Sequence, residues 1–231
     1  MLRIAAAADL QPVLPPLLAE FRGQTGVPAE AVYASSATLT EQILNGGPFD
    51  LFLSADLSFP EKVIAAGLAE EAKPVPYARG TLVLWARRGS YTADRGLRLE
   101  LLQDPVIRKV AVADAAHAPY GCAAREAIRN LGLLDALKPK LVFAENIAQA
   151  AQFVDSGNAG AGFLSLTAAL TPRMKAAGTY IEIPPAAYSP ILQGAIVLRS
   201  SANQNEARRF LLFLRSPAVR EQLEARGLKA P

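Results

Sequence analysis

Short apolar runs alternate along this chain with stretches whose apolar positions recur every three or four residues. The first kind predicts buried strands, the second helices that pack by one face. Strands are predicted at residues 3–8, 31–34, 50–54, 82–86, 110–113, 140–143, 162–166, 180–183 and 194–198. Helices are predicted at 38–45, 61–69, 121–130, 147–156, 205–214 and 219–227, and over the series Leu10, Val13, Leu14, Leu17, Leu18 and Phe21. Gly46-Gly47 closes one helix and Asp56 is placed to cap another. Pro15 and Pro16 lie too deep for a helix beginning at Asp9, so that helix kinks there or begins one turn later. The alternation predicts an α/β fold of mostly parallel sheets covered by helices on both faces.

Two proline-rich passages, KPVPYARG at 73–80 and EIPPAAYSP at 182–190, bracket the middle of the chain. They read as crossings between two lobes: a discontinuous first lobe, 1–79 with 187–231, and a second lobe, 80–186. No fixed-period repeat interrupts the pattern. With 51% hydrophobic and 19% charged residues the chain is ordinary for a folded α/β protein, not a disordered one. A net charge of +3 with no basic cluster beyond Arg87–Arg88 gives nucleic acid no footprint, and it leaves a small anion unrepelled. One cysteine excludes an internal disulfide and leaves the compartment open. No apolar run approaches the roughly 18 residues of a membrane span. Met1-Leu2-Arg3 enters the first strand with no leader pattern, so either the protein is cytoplasmic or a signal segment has been removed.

Four stretches each end a predicted strand and open a predicted helix: AAAADL (5–10), YASSATLTEQ (33–42), HAPYGCAARE (117–126) and AENIAQA (144–150). A helix N-terminus offers unpaired N–H groups and the positive end of the macrodipole. Four of them, with hydroxyls at Ser35, Ser36 and Tyr120, suggest a small oxyanion held by neutral donors, which is binding rather than catalysis. Thr38 with Glu41 satisfies a capping-box spacing, which leaves Ser36 in the preceding turn with a free hydroxyl. Asn146 reads as a cap, so Ile147 follows it with an orphan N–H and an apolar side chain. Tyr120, just ahead of a helix in APYG, is expected to expose its hydroxyl.

Other chemistry finds less support. His117 and Cys122 lack a third residue to orient the histidine as a base, and one of each makes no zinc site. Gly157, Gly160 and Gly162 do not have dinucleotide-loop spacing, and no Walker lysine is present. Trp85 in its strand is a core residue.

The strings AAAADL, ASSATLTEQI, PFDLFLSAD, LVLW, HAPYG and GLLDALKPKLVFAENIAQA, in this order and spacing, resemble the periplasmic molybdate-binding proteins of ABC transporters over essentially the whole chain. The resemblance implies the two-lobed type II periplasmic-binding-protein fold, with molybdate or tungstate bound in the cleft between lobes through backbone N–H groups and hydroxyls. It implies hinge strands near 76–84 and 184–196, delivery to an inner-membrane permease, a monomer and an extracytoplasmic location. It implies neither catalysis nor a cofactor, and the only metal is that of the bound oxyanion. The family's first-loop ligand position falls at Asp9 beside Ala8 and Leu10, the second-loop serine at Ser36 beside Ser35, the third at Tyr120 and the fourth at Ile147. A late tyrosine of some members corresponds to Ser165. Asp9 fits poorly, because an ionised carboxylate cannot donate to a dianion. It caps the first helix and turns its side chain away, or is protonated, or the ligand is another, protonated oxyanion; the capping reading is favoured. An intracellular sensor or enzyme on the same fold is the remaining alternative.

Overall fold

The computed structural model describes residues 1–231, which separate by mutual contact into a first unit, Met1–Gly80 with Leu192–Pro231, and a second, Thr81–Ile191.

In the first unit the buried strand β1 (Leu2–Ala7) pairs in parallel with β2 (Ala29–Ala34) on one side and β3 (Leu51–Ser54) on the other. β3 continues antiparallel to β10 (Ile191–Val197), and β4 (Val75–Gly80) closes the order β2-β1-β3-β10-β4. Successive side chains of a strand face opposite sides. Ile4 and Ala6 accordingly join one core with Leu14, Leu17, Phe21, Phe210 and Leu214, while Ala5 joins a second with Leu39, Ile43, Phe52 and Val63. The first core is built on α1 (Leu14–Thr25), α10 (Gln204–Leu214) and α11 (Pro217–Ala225), the second on α2 (Ser36–Leu44) and α3 (Ser58–Ala65). Phe21 meets Phe210 edge-on at 5.0 Å between ring centroids.

The second unit repeats the plan. β6 (Val110–Ala113) pairs in parallel with β7 (Leu141–Ala144) and β8 (Ala161–Ser165). β5 (Leu82–Arg87) lies antiparallel between β8 and β9 (Gly178–Glu182), giving β7-β6-β8-β5-β9. Its helices are α4 (Tyr91–Asp94), α5 (Pro119–Asn130), α6 (Leu134–Leu137), α7 (Ile147–Asp155), α8 (Leu166–Ala169) and α9 (Pro172–Ala177). Each sheet is therefore parallel in its first three strands and mixed beyond them.

Of the two readings of the first helix, the later start holds: α1 begins at Leu14, so Pro15 and Pro16 occupy its first turn, where a missing N–H costs nothing. Residues 8–10 form a separate 3-10 turn. The passage at 73–80 is largely strand β4, whose place at the sheet edge tolerates Pro76. The short helices α4, α6, α8 and α9 carry too few turns to show a period, and the pattern did not predict them.

Candidate functional site

In the first unit β1 runs into the 3-10 turn Ala8–Leu10, whose cap position is Ala7, with no side-chain capping bond. Asp9 lies inside the turn, so it does not cap a helix as expected. Its carboxylate is 2% exposed and accepts a hydrogen bond from Gln193 Nε2. Gln193 is wholly buried, and its Oε1 accepts from the Tyr77 hydroxyl at 2.8 Å. Burial, and then the Asp9 charge, push the Tyr77 phenol well above its ordinary range, so it stays protonated as a donor. The flanking Ala8 and Leu10 are buried.

The adjacent strand β2 leads into α2. Ser35, in extended backbone, is the cap: its Oγ accepts from Thr38 N–H at 3.1 Å and lies 2.7 Å from Thr38 Oγ1. The cap thus stands at Ser35, three residues before Thr38, which the Thr38–Glu41 spacing indicated. A serine oxygen already in reach of the third N–H leaves Thr38 no role as cap. Ser36 is the first helical residue, not a turn residue. It is 1% exposed and its Oγ accepts from Ala55 N–H at 3.1 Å, which leaves its own proton for a second partner. With Thr38 N–H bonded to Ser35 Oγ and Leu39 N–H to Ser35 carbonyl, the N–H groups of Ser36 and Ala37 are the orphan donors of this end.

In the second unit β6 leads to α5. Ala118 caps it without a side-chain bond, and Pro119 and Tyr120 start it. Tyr120 is 1% exposed, so the side chain expected to expose its hydroxyl is instead buried. The end of β6 presses so closely that a Cβ on Gly121 would lie 2.4 Å from the Ala113 carbonyl oxygen. β7 leads to α7, where Asn146 Oδ1 accepts from Gln149 N–H at 3.0 Å and Ile147 follows as the first helical residue, its side chain buried. Ser165 caps α8; its Oγ accepts from Ala168 N–H at 3.3 Å and from Thr167 Oγ1 at 2.9 Å. Both its lone pairs are used in holding the start of α8, and its own proton is left over, as at Ser36.

Asp9, Ser35 and Ser36 thus stand together at the carboxyl ends of neighbouring parallel strands, as Tyr120, Ile147 and Ser165 do in the second unit. Such ends are where open α/β sheets place ligands. Pattern reading missed Gln193, Tyr77 and the Ala55 N–H; a glutamine inside an apolar strand run was the visible sign. His117 forms only an exposed local pair with Asp114 at 3.8 Å, and Cys122 Sγ contacts the Ala115 carbonyl. A cavity of about 260 Å³ has mostly apolar walls, among them Val112, Ile128, Leu134, Leu141 and Phe143, with Arg125 and Lys138 also lining it, and it contains none of the predicted residues. No helix is long and apolar enough to cross a membrane.

Comparison with known proteins bears on this arrangement. The profile of the bacterial extracellular solute-binding proteins matches residues 2–229. Molybdate-binding protein ModA of Rhodobacter capsulatus is 34% identical over 96% of this chain and 86% of the relative, and that of Azotobacter vinelandii is 32% identical over 97% and 88%. The solved periplasmic molybdate-binding protein of Azotobacter vinelandii superposes with a TM-score of 0.92 at 31% identity, covering 100% of both chains. The sulfate-binding protein SubI of Mycobacterium tuberculosis, at 14% identity and a TM-score of 0.82, shares the fold alone. The chain belongs to the bacterial extracellular solute-binding protein family, alongside the ModA molybdate-binding proteins.

Proposed function

We propose that this chain is the substrate-binding component of an ABC importer and that its ligand is molybdate, with tungstate as a ligand of the same charge and nearly the same size. The observation that carries the proposal is the chain-long likeness to molybdate-binding proteins, a TM-score of 0.92 with identity above 30%. On this reading the donors are neutral: the N–H groups of Ser36, Ala37 and Ile147, the Ser36 and Tyr120 hydroxyls, and the backbone of the turn at Ala8, Asp9 and Leu10. Ser35 and Ser165 serve as caps. Helix-terminal amides act as fixed partial positive charges, strongest where water is excluded. A rigid donor set sized for the larger anion leaves sulfate with long, poorly formed hydrogen bonds. The protein binds and hands over its anion without changing it, as an extracytoplasmic monomer that docks on a membrane permease.

A second reading, a protonated oxyanion as ligand, is favoured by one observation, the buried carboxylate of Asp9 beside the first loop. Calorimetric titration of ligand-free protein separates the two. Tight heats with molybdate and tungstate and none with sulfate or phosphate are expected. Heat with phosphate alone would replace molybdate by the protonated anion.

A further inference from the structure

Gln193 lies in β10, an interior strand, where a buried amide is tolerated only with its polar ends bonded. Both are. The oxygen accepts a hydrogen bond from the Tyr77 hydroxyl on β4, and the nitrogen donates to the Asp9 carboxylate in the turn after β1. Because an ionised carboxylate only accepts, the amide nitrogen faces Asp9 and the oxygen is left for the Tyr77 hydroxyl, which also reaches the Ser54 carbonyl at 3.4 Å. Three side chains from distant parts of the sequence thus form one directed chain of hydrogen bonds, ending on the 3-10 turn Ala8–Leu10. The alternatives for an unheld carboxylate are to swing out or to pull the turn with it, and either displaces the N–H groups of Ala8, Asp9 and Leu10.

We infer that Gln193 and Tyr77 are positioning residues for the oxyanion site, acting through Asp9: they hold its carboxylate inside the first unit, so that the turn presents backbone donors and not an acceptor. The inference rests on the molybdate reading and adds the residues that make an aspartate compatible with it. A neutral amide suits the task, because it anchors the carboxylate without adding a cation that would hold anions indiscriminately.

The test is a rescue experiment read by calorimetry with molybdate. Gln193→Glu sets two carboxylates against each other and is expected to weaken binding about tenfold or more. Adding Asp9→Asn supplies an amide that donates to the new carboxylate, and affinity is expected to return to within about threefold of wild type. Tyr77→Phe, which removes one hydroxyl and little volume, weakens binding several-fold and serves if Gln193→Glu melts too low to titrate. Folded Gln193→Glu or Tyr77→Phe protein that binds like wild type overturns the inference, and so does loss in Gln193→Glu without rescue by Asp9→Asn. If wild type itself gives no molybdate heat, the ligand reading fails and the inference falls with it; variants unchanged beside a binding wild type remove the inference alone.

Discussion

In the first unit the polar side chains at the strand ends are anchored by long-range hydrogen bonds: Ser36 accepts from Ala55 N–H, and Asp9 is held by Gln193, itself bonded to Tyr77. In the second unit the corresponding ends carry Tyr120, Ile147 and a locally closed Asn146 cap, and the fit there comes from close packing of backbone. The sheets share one plan, in which the second strand from one edge, β1 or β6, is flanked by two parallel neighbours. What this teaches is that the topology supplies the donors, as N–H groups behind parallel strands, while each unit fixes them by different means. One uses long-range hydrogen bonds, the other sterics and local capping.

The contrast can be broken most forcefully at Gly121. A methyl there would meet the Ala113 oxygen at 2.4 Å and the Asp114 carbonyl carbon at 2.7 Å, both rigid backbone. Gly121→Ala is expected to cost about 3 kcal/mol in denaturant unfolding and to weaken molybdate binding by shifting Tyr120. The same third position of α2 holds Thr38, a capped residue with no such constraint. Next come the serine and the asparagine. Ser36→Ala leaves the buried Ala55 N–H without its acceptor and is expected to cost about 2 kcal/mol, together with a marked loss of affinity. Asn146→Ala removes only a cap and is expected to cost about 1 kcal/mol. Side-by-side melts in which Asn146→Ala proves the costlier change would reverse the contrast.

The smallest effect concerns how each unit treats a buried acid. Asp155 in the second unit meets Arg173 at 2.6 Å and Arg87 at 3.3 Å. Glu71 in the first is half-buried; burial raises its carboxyl above the ordinary range, and the hydrogen bond from Val197 N–H, at 2.8 Å, only partly offsets this. A raised acid stabilises the folded state below its unfolded value, and that contribution is lost as pH rises through the folded one. Glu71→Gln, which keeps an oxygen for Val197, should therefore match wild type in acid and melt about 2 °C higher or less at neutral pH.

Where a signal was local, the sequence carried it. Asn146 before Ile147 announced a capped helix, and the run VAVA at 110–113 was a strand to the residue. Pro74 and Pro76 hid β4, because a proline speaks against an interior strand but not against an edge one. Ser35 and Thr38 both carry cap chemistry at a helix start, and only backbone geometry decides between them. The role of Asp9 was the least legible feature. Its partner stands 184 positions away, and that partner's own orienting group a further 116 in the other direction. Periodicity and spacing report on neighbours along the chain; pairings of this kind exist only once the sheet has closed.

The strand order has a temporal consequence. β10, made from nearly the last part of the chain, sits between β3 and β4 and is their only link in the sheet. During synthesis from the N-terminus the second unit, continuous from Thr81 to Ile191, is whole well before the first can be. β3 must wait with one edge open, and β4 with no partner at all, until Leu192–Pro231 arrives. An open apolar edge invites pairing with other chains. The first unit is therefore the one exposed to such pairing while half-made, and a chain stalled short of β10 should aggregate through β3 with its second unit already folded.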